Sequence, residues 1–242
     1  MEHGVANTPR TRLRLASVSK HLTCMAALLL AEEGQLDLDA PAERVLPELK
    51  PLAGRVPTLR QFMTHISGWG CWMDLMYLRS GLAFQPAGAG LALQLAQAGV
   101  NGPPGARQLY SNAGYTLSSS AIERASGVPF ESFMKTRLFE PLGMRDTECA
   151  PNDMQIRPRM ATLHVPTVTG GWRRGLTPLE DNKGEGAIIS TVDDMLLWMA
   201  QLRADSPAIG STDSWAQLKR TATLFDGSAT PYALGLNRQL YR

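Results

Sequence analysis

Residues 17–33 restrict this chain more than any other stretch. Val18, Leu22, Cys24, Met25, Leu28, Leu29 and Leu30 fall on every side of a helix of that length. A helix that is apolar almost all round is buried at the centre of a domain. Its longest apolar run, Cys24 to Ala31, is too short to cross a bilayer, so protein must cover it. Gly34 marks its end. Residues 11–16 (Thr-Arg-Leu-Arg-Leu-Ala) alternate in the manner of a short strand, and the spacing of Arg10, Arg12 and Arg14 predicts one solvated strand face. The expected beginning is therefore a strand that turns directly into the central helix.

Further elements follow from punctuation. Thr58 can cap a short helix, Leu59 to His65, that stops at Ser67-Gly68. Residues 81–90 read as loop, 90–98 as helix, and Asn101-Gly102-Pro103-Pro104-Gly105 as a turn. Helices are expected at 113–125, ending at Gly127, and at 129–139. Residues 160–176 read as a hairpin turning at Thr169-Gly170-Gly171. A short apolar stretch, Ala187 to Ser190, precedes a helix that Thr191 caps and that runs to Leu202; Asp193 and Asp194 stand in its first turn, where the helix dipole favours them. A last helix is expected over 212–224. Strand signals gather at the two ends and helices in the middle. That pattern predicts one domain, 1–242, with a helical region over about 41–158 and sheet-associated parts over about 1–40 and 159–242.

Composition narrows the function. A chain that is 44% hydrophobic and 19% charged has enough apolar material for one sizeable core. A net charge of +2 without a dense Lys/Arg run argues against a nucleic-acid or membrane-surface role. Cys24, Cys71 and Cys149 lie too far apart for a zinc site, and their odd number speaks against a disulfide scaffold. His3, His21 and His164 have no metal-like spacing, so neither metal nor cofactor is expected. Free thiols fit a reducing compartment, and no signal peptide is visible; cytoplasmic and periplasmic placement both stay open.

The chemistry begins at Ser17-Val18-Ser19-Lys20. Residues i and i+3 share a helix face, so hydroxyl and amine can meet. Burial and the positive end of the helix dipole favour the neutral amine, which can take the serine proton. The Ser17 N–H at the helix start can hold a developing oxyanion. Ser132-Phe133-Met134-Lys135 matches the same spacing, but inside a helix whose Phe130, Phe133, Met134 and Leu138 make a core face, and reads as structural. Tyr110-Ser111-Asn112 sits on a loop after the Pro-Pro-Gly turn. A tyrosine beside a lysine amine can relay a proton. An asparagine amide can bond a substrate carbonyl and the lysine, or simply cap the next helix. No Gly-x-Ser-x-Gly elbow is present.

Several ordered segments then resemble one family: Leu15 to Lys20; Gly34 to Asp39 with Pro41; Thr64-His65-Ile66-Ser67-Gly68; Pro104-Gly105 leading to Tyr110 to Tyr115; Pro141-Leu142-Gly143-Met144 with Thr147; and Gly184-Glu185-Gly186 leading to Ser190 to Asp194. Together they resemble the class C branch of the serine β-lactamase-related hydrolases, which have a penicillin-binding-protein-like fold and include D-aminopeptidases, DD-carboxypeptidases and esterases. The resemblance implies an α/β (α+β) fold of the β-lactamase/transpeptidase type: an antiparallel sheet flanked by helices, with an inserted, mostly helical region. It implies Ser17 as the acylated nucleophile, Lys20 as its base, Tyr110 as the proton relay, and Asn112 as the residue that orients Lys20 and binds the substrate amide. The substrate would be a small molecule or peptide with an amide or ester bond. His65 would belong to a structural turn. Trp69, Trp72 and Met73 would either line the cleft or pack in the core.

One expected feature is missing. The family's third motif is Lys or His, any residue, then Gly; no Lys or His here has Gly two residues later. Relatives also carry strands ahead of the part matching residues 1–10, so the resemblance implies an incomplete sheet. Three readings follow: a shortened gene, a chain completed by another copy or another polypeptide, or a degenerate relative without turnover.

Overall fold

The computed structural model describes residues 4–52, 54–74, 76, 88–176 and 183–240. Its axis is helix α1, Ser19–Glu32, in which every residue from Ser19 to Leu30 is buried. The expected helix start at Ser17 is instead a 3-10 turn, Ala16–Val18, feeding α1. The end is where the sequence puts it. Gly34 takes φ +70°, its N–H donates to the Ala31 carbonyl at 3.0 Å, and Gln35 N–H reaches the Leu30 carbonyl at 2.9 Å. These paired bonds satisfy carbonyls that the last turn leaves open.

Helix α2, Leu59–Met63, starts on Thr58 with a reciprocal capping box: the Thr58 hydroxyl accepts from Gln61 N–H and the Gln61 side chain accepts from Thr58 N–H, both at 3.1 Å. Thr58→Ala is expected to lose about 1 kcal/mol. That amounts to a melting temperature lowered by about 2–4 °C for a chain of this size. An unchanged thermal melt would mean the cap does not hold α2.

Helix α3 spans Ala89–Leu95. Helix α4, Ala113–Ser126, packs along α1 and α2 and ends on Gly127 at φ +72°. Helix α5, Phe130–Met134, continues as one wide turn, Lys135–Phe139. Residues 81–87 of the expected loop lie outside the described residues. Helices α6 (Val192–Arg203) and α7 (Thr212–Lys219) close the core. Thr191 caps α6 as expected, its hydroxyl accepting from Asp194 N–H at 3.1 Å. Helix α7 stops short of the expected residue 224.

Strand β1 is only Leu13–Arg14, shorter than the 11–16 expected. It pairs antiparallel with β5, Ile188–Ser190, whose other edge pairs with β2, Glu148–Cys149. β2 falls within the stretch read as helical. The hairpin is present: β3 (His164–Pro166) pairs with β4 (Trp172–Arg174), Pro166 facing Trp172.

The solvated arginine face is corrected by this packing. Arg12 donates to Glu148 at 2.7 Å and Asp146 at 3.3 Å; Arg14 donates to Asp153 and to the Ala150 carbonyl at 2.7 Å. The 146–153 segment lays carboxylates and a carbonyl across that face. Trp69, Trp72 and Met73 are buried, and the Trp72 indole N–H donates to Thr116 at 3.0 Å, which gives them to the core. Among the described residues no helix is long and apolar enough to cross a membrane, and no group of side chains is arranged to hold a metal ion.

Candidate active site

The turn into α1 builds the site. Ala16 adopts φ +47°, a conformation that costs a residue with a Cβ about 1–2 kcal/mol. That turn leaves Ser17 exposed at the surface while Lys20, one helical turn on, is fully buried. The amine reaches back: Lys20 Nζ lies 3.1 Å from Ser17 Oγ. On its other side it donates to the Glu185 carbonyl at 2.8 Å. Thr23 holds the neighbouring Gly184 carbonyl at 2.8 Å, and Ser19 Oγ accepts from Ile188 N–H at 3.2 Å. Segment 184–188 is thus laced along α1. Gly184 is needed there, because a Cβ would stand 2.6 Å from the Tyr115 carbonyl.

Tyr110 arrives from the loop before α4 and completes the cluster. Its hydroxyl lies 2.8 Å from Ser17 Oγ. Lys20 Nζ sits 5.1 Å from the centre of the Tyr110 ring and 5.2 Å from that of Tyr115. Aromatic faces attract a cation, so the amine is cradled between two rings, a carbonyl and the serine. Tyr115 is buried and donates to the Met63 carbonyl at 2.5 Å; burial holds its phenol well above the ordinary range.

Ser17, Lys20 and Tyr110 are therefore brought together. Asn112, two residues beyond Tyr110, is not hydrogen-bonded into the cluster. The hydrogen bonds of the Lys20 amine run to Ser17 and Glu185, not to Asn112. Asn112 precedes α4 without capping it through its side chain. The second Ser-x-x-Lys does not repeat this arrangement: Ser132 and Lys135 are both exposed, and Lys135 faces Glu140 at 3.8 Å.

A pattern describing the beta-lactamase family matches residues 1–241. The chain belongs to the beta-lactamase family. Among curated members of this beta-lactamase family, Esterase EstB of Burkholderia gladioli is 37% identical over 149 residues, covering 56% of this chain and 38% of EstB. The D-aminopeptidase of Brucella anthropi is 27% identical over 237 residues, covering 96% of this chain and 43% of that protein. An octameric penicillin-binding protein homologue from Pyrococcus abyssi superposes with TM-score 0.80 at 24% identity, covering 97% of this chain and 55% of that one. The fold is thus β-lactamase/transpeptidase-like. The chain spans less than half the length of those two curated relatives.

Two partners in this candidate site escape sequence reasoning. The Glu185 carbonyl is main chain, so no residue type announces it; the Gly184-Glu185-Gly186 segment is the only trace. Tyr115 stands in the quoted Tyr110 to Tyr115 segment, yet nothing in one sequence says that its ring faces Lys20.

Proposed function

We propose that this chain is a serine hydrolase that cleaves amide or ester bonds through an acyl-enzyme on Ser17. The observation that carries the reading is the bracketing of Ser17 Oγ, with Lys20 Nζ at 3.1 Å and Tyr110 Oη at 2.8 Å. Ser17 Oγ bonds to the substrate carbonyl carbon while its proton passes to the Lys20 amine. The Ser17 N–H supports the oxyanion of the tetrahedral intermediate. The bond to the leaving nitrogen or oxygen then breaks, and Tyr110 hands that atom a proton drawn from Lys20. Water gives a proton to the same pair and attacks the acyl carbon; the acyl–Oγ bond breaks and Ser17 Oγ takes that proton back. The Asn112 amide binds the substrate carbonyl or amide.

The substrate classes consistent with this chemistry are a D-amino-acid peptide or amide, a short-chain ester, and a β-lactam. The names of EstB and of the D-aminopeptidase support the first two. The competing reading is a domain that folds without turnover. Incubation with a fluorophosphonate followed by peptide mass spectrometry separates the two. We expect one adduct on Ser17 and none in Ser17→Ala. No adduct on the folded wild type would overturn the hydrolase reading.

A further inference from the structure

His65 has no place in that chemistry, yet it touches the Tyr110 segment three times. Its carbonyl accepts from Leu109 N–H at 2.7 Å, and its ring Nδ1 accepts from Ser111 N–H at 3.2 Å. The residues on either side of Tyr110 are thus both held by one histidine. The third contact is ring on ring: the His65 and Tyr110 centroids are 4.2 Å apart. Tyr232 packs on the same imidazole, with ring centroids 4.5 Å apart. His65 itself is almost wholly buried and sits at φ +61°, a left-handed conformation in which histidine is enriched. That conformation lets one residue present its carbonyl and its ring to consecutive parts of the same strand of chain.

We infer that His65 is a positioning residue for Tyr110, fixing the relay hydroxyl against Ser17 Oγ through the two flanking backbone bonds and the tilted ring contact. This inference rests on the proposed hydrolase reading. The imidazole suits the task because it stays neutral. Burial, and then the nearby Lys20 charge, push its pKa down to about 3, so Nδ1 remains an acceptor for Ser111. A protonated ring would carry a donor there and lose that bond. Tyr232 extends the support to the C-terminal part of the chain, which sequence order alone does not connect to residue 110.

The test uses two variants and two readouts. His65→Ala removes the ring and its acceptor. His65→Asn keeps an acceptor near the Nδ1 position and tolerates the left-handed backbone. The rate of the fluorophosphonate adduct on Ser17 is measured for each, alone and combined with Tyr110→Phe. We expect His65→Ala to slow the adduct by about 10- to 100-fold, the scale set by small misplacements of a reacting group. His65→Asn should recover most of that loss. In the Tyr110→Phe background His65→Ala should have no further effect, because its action runs through the hydroxyl already removed. Hydrogen exchange of the peptide covering 109–111 is the second readout and needs no turnover. Its protection should fall in His65→Ala and persist in His65→Asn. Losses that multiply in the double variant, or exchange unchanged in His65→Ala, overturn the inference. An unlabelled wild type overturns the hydrolase reading instead and takes this inference with it.

Discussion

A Lys20→Met variant is expected to acylate Ser17 about 10²–10⁴ times more slowly than the wild type, the range a positioned general base supplies. The amine lies 3.1 Å from Ser17 Oγ, is itself buried, and is held by a main-chain carbonyl that cannot rotate away. Methionine fills nearly the same volume without a proton acceptor of comparable basicity. Folding should survive. The variant leaves the Glu185 carbonyl without its donor, which costs about 1–3 kcal/mol, but it also removes an amine that folding takes out of water. Tyr110→Phe should lose less, since it keeps the ring beside Lys20 and removes only the relay hydroxyl. Both rates can be read from the growth of a Ser17 adduct in intact-mass spectra, with a thermal melt as the control for folding. A Lys20→Met protein that labels at the wild-type rate would take the base away from Lys20.

How much of this was legible depends on how local each contact is. The α1 helix and its end at Gly34 follow from spacing, and the Ser17–Lys20 pair nearly so, because residues three apart share one side of a helical turn; Ser132 and Lys135, equally spaced, show that sharing a side does not by itself make a pair. The Thr58 and Thr191 caps are legible for the same reason. Tyr110 is 93 residues from Ser17, and only the ordered set of segments linked the two before the fold did so in space. The Glu185 carbonyl was not legible, because any residue carries a carbonyl and its direction depends on how segment 184–188 lies along α1. Arg12 and Arg14 show the opposite limit. Alternation tells which residues share a face, but it does not tell that Asp146, Glu148 and Asp153 will cover it. The short β1 has a similar origin: its partner β5 offers only Ile188–Ser190, so ladder pairing ends sooner than the alternating pattern suggests.

The same argument gives the largest expected change in stability, at a residue far from the chemistry in sequence. Gly235 turns the chain at φ +75°, and a Cβ added there would stand 2.4 Å from His21 N, 2.6 Å from His21 Cα and 2.6 Å from the Lys20 carbonyl carbon. All three atoms are backbone of α1, so no side-chain rotation relieves the overlap. Gly235→Ala combines left-handed strain with overpacking and is expected to lose about 3 kcal/mol or more. That lowers the melting temperature by about 6–12 °C in a chain of this size. Gly227 provides the control. It has φ +84° with nothing within 4 Å of an added Cβ, so Gly227→Ala carries only the conformational penalty and should lose about a third as much. The contrast isolates the close approach of residue 235 to the first turn of α1. Because the displaced atoms belong to Lys20 and His21, Gly235→Ala should also slow Ser17 acylation at temperatures where it remains folded, while Gly227→Ala should not. Equal melting temperatures for the two variants would show that residues 234–236 do not press on α1, and the C-terminal segment would then have no part in setting the Ser17–Lys20 geometry.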